Sequence, residues 1–152
     1  MRTGLLQSPV LLVAGGGALG AGARWVVLEA LPEGSTEGVA TAATLAAVGD
    51  GLPWGLPWPL VLVNLVGCAL LGVVLGRGAD SRVRLLVGTG FCGGLTTFST
   101  FAVEVAEALR ASDASGAFGY AVLSVGGGLA TFQLGRMTGR AILRGRPTES
   151  SC

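Results

Sequence analysis

Gly90-Phe91-Cys92-Gly93-Gly94-Leu95-Thr96-Thr97-Phe98-Ser99-Thr100-Phe101 lies in the middle of an apolar segment, yet it holds three glycines, three threonines and a serine. Inside a helix each glycine costs about 1 kcal/mol against alanine. The cluster therefore predicts a helix that stops near Gly93-Gly94 and restarts near Thr97. The hydroxyl residues that follow can bond freed backbone groups or something passing by.

Composition places this stretch in a membrane. The 152 residues are 51% hydrophobic and 12% charged, with 27 glycines and a mean hydropathy of +0.68; a soluble domain carries about 25% charged residues. The length fits one compact unit, and a net charge of +1 gives no reason to expect a nucleic-acid partner. Histidine is absent, which removes imidazole ligands and histidine acid–base catalysis together. Cys68, Cys92 and Cys152 have no CxxC spacing, and the first two read as small buried hydrophobes.

A membrane span needs about 20 mostly apolar residues, and four segments qualify: 5–31, 58–76, 83–109 and 117–137. The expected fold is an all-α membrane protein with four transmembrane helices, the third broken in its middle. The first segment is not a signal peptide, because its apolar run is long and no cleavage-like boundary follows. Residues 32–57 read as a loop or short interfacial helix. Trp54 and Trp58 mark the headgroup level before the second span. Residues 140–152 read as an unstructured polar tail.

Arginine placement sets orientation. With four spans, Arg2, Arg77, Arg82, Arg84, Arg136, Arg140, Arg144 and Arg146 share one side and Arg110 stands alone on the other. Both termini are expected in the cytoplasm.

The run Gly15 to Gly20 satisfies GxGxxG, but no strand precedes it and it lies within an apolar span, so dinucleotide binding is rejected. Gly16/Gly20, Gly72/Gly76, Gly90/Gly94 and Gly135/Gly139 instead share the GxxxG spacing of close helix packing. Asn64, flanked by Leu62, Val63, Leu65 and Val66, needs partners in hydrocarbon; it reads equally as interhelical glue or as a donor on a pathway. Arg24 either snorkels to the nearer interface or raises anion concentration at a pore mouth. Phe98 and Phe101 share a helix face, as do Thr97 and Thr100 one residue earlier. Ring edges are positive and could join hydroxyls in holding an anion. Tyr120 and Ser124 share a face of the fourth span, where Ser124 could also bond its own helix.

The break itself has an electrostatic meaning. Unsatisfied carbonyls end the first half-helix and unsatisfied N–H groups begin the second; the former suit a cation and the latter an anion. Such a break is tolerated at membrane depth only inside protein or beside water. Ion handling follows from this, without the identity of the ion.

The stretch from Gly90 to Phe101 resembles the signature of the CrcB/Fluc fluoride ion channels, a family of small four-span membrane proteins. The resemblance extends to the glycine run leading to Arg24-Trp25, to Val63-Asn64-Leu65-Val66-Gly67, and to Tyr120 with Ser124. It implies an antiparallel dimer in the cell membrane of a prokaryote, with two fluoride pathways giving passive efflux. It also implies a structural sodium ion (Na+) at the dimer centre, held by the backbone carbonyls of Gly93 and Thr96. By the same match, Phe98 and Phe101 line the pathways, Asn64 and Ser124 donate hydrogen bonds, and Thr97, Ser99 and Thr100 form a polar track. Arg24 corresponds to the arginine that the family keeps in its first span. Neutral donors release the ion readily, as conduction requires.

Two features depart from the family's pattern. The connection at 32–57 is longer than usual, and the arginine bias of eight against one is unlike single-gene members, which insert in both orientations. This points to a homologous paired subunit of opposite orientation. Other functions fit less well. A small proton-coupled exporter needs a carboxylate deep in a span, whereas Glu29, Glu104 and Glu107 lie towards span ends. A non-transporting assembly subunit leaves the broken span unexplained, and an enzyme lacks a visible nucleophile–base pair or metal set. Reporter fusions to each terminus, with the chain expressed alone, are expected to place both in the cytoplasm. Comparable signals from both sides of the membrane would contradict a fixed orientation.

Overall fold

The structure, a computed structural model, describes residues 8–31 and 58–145. The expected 32–57 connection, residues 5–7 of the first span and the tail beyond residue 145 lie outside these. Among the described residues there are four helical segments long and apolar enough to cross a membrane. The first is α1, Pro9–Ala30, opened by a proline in its first turn, where the missing N–H is no loss. The second is α2, Trp58–Gly76. The third is divided into α3, spanning 81–95, and α4, Phe98–Arg110. The fourth is α5, Ala114–Arg144.

The connections carry their own stop signals. Gly78, at φ +63°, ends α2 in the left-handed conformation that glycine adopts without strain. The Ala79 N–H then reaches back to the Val74 carbonyl, at 3.4 Å. Asp80 caps α3 by accepting from the Val83 N–H at 2.9 Å, and Asp113 caps α5 by accepting from Gly116 at 2.9 Å.

Two seams of glycine hold the helices together. A Cβ on Gly16 or Gly20 would run into the carbonyl oxygens of Leu86 and Phe91, and one on Gly94 into that of Gly17. So α1 and α3 lie backbone to backbone and run parallel. In the same way a Cβ on Gly72 or Gly76 would strike the carbonyls of Phe132 and Arg136. One on Gly135 would strike that of Ala69, so α2 and α5 also run parallel. All four GxxxG spacings thus lie at helix crossings, where small residues permit close approach.

The first seam has an unusual feature. Residues Arg84–Cys92 of α3 wind as a π-helix, rare beyond a single turn. This π winding covers the part of α3 that packs on Gly16 and Gly20, through the carbonyls of Leu86 and Phe91.

Two details differ from expectation. The glycines do not break the third span: helix continues through Gly93–Leu95, and the break falls on Thr96 and Thr97, both extended (ψ 157° and 123°). Gly90 and Gly94 serve the seam with α1. The last helix runs through Arg144, so residues 140–144, expected in an unstructured tail, are helical. Their charge marks the exit from hydrocarbon, not the end of the helix.

Gly20→Ala and Gly22→Ala gain the same helix propensity, but only the first meets neighbouring backbone; the site of Gly22 is open. In thermal unfolding of the detergent-solubilised protein, Gly20→Ala is expected to be less stable than Gly22→Ala by about 1–3 kcal/mol. Equal midpoints would contradict the seam.

Candidate functional site

The break in the third span organises the site. Leaving the helix at Thr96 deprives main-chain groups of their ladder partners, and an unmet polar group in hydrocarbon costs several kcal/mol. Three side chains meet that demand. Asn64, from the middle of α2, accepts the Thr97 N–H on Oδ1 at 2.9 Å. Its Nδ2 points back to the Thr97 carbonyl at 3.4 Å, so one side-chain amide clasps both main-chain groups of Thr97. Arg24, near the end of α1, donates from a guanidinium nitrogen to the Thr96 carbonyl at 3.2 Å. Thr97 Oγ1 caps α4 by accepting from the Thr100 N–H at 3.3 Å.

The hydroxyls cluster. Thr97 Oγ1 lies 3.1 Å from Ser99 Oγ and 3.1 Å from Thr100 Oγ1. Thr96 turns the other way and donates to the Cys92 carbonyl at 2.9 Å, closing the end of α3. An unbroken helix would give the Thr97 N–H to Gly93. Because Asn64 takes it, the Gly93 carbonyl is denied that partner on a residue that is itself exposed.

Beside the break is an open crevice of about 230 Å3 lined by Asn64, Cys68, Thr96, Thr97, Phe98, Phe101, Ser124 and Val125. Ser124 Oγ is buried here, with no hydrogen-bond partner among the described residues. It does not bond back to its own helix, as Thr131 does to the Gly127 carbonyl at 3.0 Å. The rings step inward from the surface: Phe98 is 79% exposed, Phe101 lies 5.7 Å from it, and buried Tyr120 lies 5.3 Å from Phe101. Among the described residues no carboxylate or lysine lines the crevice.

Of the residues singled out from the sequence, Asn64, Thr97, Phe98, Phe101 and Ser124 meet around this crevice, with Ser99 and Thr100 joined to it through Thr97. Arg24 does not line it; its guanidinium is spent on the Thr96 carbonyl. Two participants were not singled out as site residues. Cys68 follows Asn64 by four on α2, so helical spacing alone puts it on the same face. Tyr120 backs Phe101, and its place four residues before Ser124 is the corresponding signal.

A break clasped by polar side chains thus stands beside a neutral crevice and a ladder of rings. The profile of the CrcB-like protein family, described also as Camphor Resistance (CrcB), matches residues 11–136. The chain belongs to the CrcB-like family. A relative from Rhodococcus jostii named "Fluoride-specific ion channel FluC 2" is 41% identical over 126 residues, covering 83% of this chain and 94% of its own length. One from the archaeon Halobacterium salinarum, named "Fluoride-specific ion channel FluC 1", is 39% identical over 129 residues, covering 84% and 92%. A third, "Fluoride-specific ion channel FluC" from Mesorhizobium japonicum, is 34% identical over 137 residues, covering 88% and 97%. The CrcB-like match reaches into all four spans and takes in every residue around the crevice.

Proposed function

We propose that this protein is a fluoride-selective ion channel whose passive efflux lowers the fluoride content of the cytoplasm. The observation that carries the reading is the crevice. Ser124 Oγ, a buried hydroxyl with no hydrogen-bond partner among the described residues, faces the same space as Asn64, Thr97 and two phenylalanine rings, and none of the described residues brings a fixed charge to its lining. Fluoride is small and strongly hydrated, so a pore must offer donors in place of water and still let go. Hydroxyls supply directional donors, and ring edges supply a weak positive field. Glu104 and Glu107 do not line the crevice, which speaks against proton-coupled export through it.

The pathway is completed by a second subunit in antiparallel orientation. What supports this is exposure: Phe98 stands out from the surface, and Gly93, Ser99 and Thr100 are exposed beside it. A sodium ion at the dimer centre would be held by the carbonyls of Gly93 and Thr96. These donors suit a hard cation, and Gly93 is denied its helical partner. Thr96 keeps a second lone pair beside the one that Arg24 takes. Bound there, the ion would neutralise converging carbonyl dipoles and tie the breaks together. Arg24 fixes the Thr96 carbonyl, and Asn64 both shapes the path and holds its wall. The arginine bias favours a homologous partner of opposite orientation, with both termini of this chain cytoplasmic.

Fluoride efflux from liposomes tests the reading, with chloride as control and with any co-expressed homologous partner supplied. Fast fluoride loss is expected from the wild type. Phe98→Ile and Ser124→Ala are expected to slow it by about tenfold or more, one lost donor being worth roughly 1–3 kcal/mol. Efflux no faster than from empty liposomes would refute the channel.

A further inference from the structure

At the opposite end of the third span from α4, the turn joining α2 to α3 separates two cavities of different character. One, of about 380 Å3, includes both Arg77 and Asp80, so its charges offset each other. The other, of about 340 Å3, is lined by Leu75, Gly78, Ala79, Arg84, Phe132 and Arg136. Its two arginines come from different helices, and neither side chain has a hydrogen-bond or ion-pair partner among the described residues. The nearest acid in sequence, Asp80, lines the other cavity and accepts the Val83 N–H.

The lining is graded with depth. Arg84 and the exposed turn at Gly78 lie at the span end, and Phe132 stands one turn deeper than Arg136 on the same side of α5. Leu75, 37% exposed, completes the apolar part. The Arg136 main chain is packed tightly against α2, because a Cβ on Gly76 would strike its carbonyl. A double positive charge at the headgroup level above an apolar wall matches an anionic phospholipid, with phosphate on the arginines and acyl chain along Phe132 and Leu75. A soluble anion would have no use for the apolar half. We infer that this cavity binds the headgroup of an anionic phospholipid, a site separate from the crevice at the break and independent of the ion that crosses there.

The test is lipid binding to the purified full chain by native mass spectrometry in neutral detergent, with phosphatidylglycerol compared against phosphatidylcholine. Wild type is expected to retain phosphatidylglycerol about tenfold more tightly, two interfacial arginines accounting for a factor of that size. Arg84→Gln with Arg136→Gln is expected to abolish the preference. Arg140→Gln with Arg144→Gln, an equal loss of charge at the same end, is expected to keep it. Arg84→Lys with Arg136→Lys, which preserves charge, is expected to retain most of it and decides the matter should the glutamine pair fail to fold. Equal affinity for the two lipids in the wild type would overturn the proposal. So would a preference that survives the glutamine pair or is lost from the lysine pair. Loss in the Arg140/Arg144 control would show a diffuse field and no site. Displacement of phosphatidylglycerol by inorganic phosphate would make the ligand a free anion and overturn the lipid assignment.

Discussion

A chain that leaves the helical ladder inside hydrocarbon must find a partner for every main-chain group it frees. Here the demand is concentrated on one residue, Thr97, and Asn64 meets both its N–H and its carbonyl. Arg24 takes the carbonyl of the residue before it, and the Thr97 side chain caps the helix just after. The three helices that supply these groups are thereby held at fixed positions relative to the break. Ring and hydroxyl positions in the crevice follow from that arrangement, because Thr97, Phe98 and Phe101 all belong to the turn that restarts there.

The glycine seams make this clasp possible. Asn64 and Arg24 have finite reach, so α1 and α2 must approach the third span closely. Gly16 and Gly20 bring α1 against α3 with no side chain between. At Gly67, one turn below Asn64, a Cβ would collide with the Thr96 methyl. Close packing and polar satisfaction therefore go together: the seams bring the polar side chains within reach of the break. The apolar cluster of Leu60, Val61, Val63, Leu95 and Tyr120 is buried, and Phe101 of the crevice packs against it.

Much of this was legible in the sequence, and the gaps have physical causes. Hydropathy marked the four spans, because hydrocarbon thickness fixes how long an apolar run must be. The GxxxG spacings marked the seams. The position of the break was misjudged by a few residues, since glycine disfavours helix in water while in a membrane seam its missing side chain is the asset. The π winding of Arg84–Cys92, which lies along the seam with α1, has no residue-type signature. Asn64 was open between packing and pathway, and the structure shows why: the residue bonds the break and lines the crevice at once. Arg24 alone gave no hint of its partner, because a carbonyl 72 residues away carries no label in the sequence.

The dependence of the break on Asn64 is tested most directly by amide hydrogen exchange at Thr97 in the wild type and in Asn64→Ala. The account predicts slow exchange in the wild type. In the variant it predicts exchange faster by about tenfold or more, as loss of a buried hydrogen bond worth roughly 1–3 kcal/mol requires. The amides within α2 and α5 should remain protected in both. Equal exchange at Thr97 in the two proteins would contradict it.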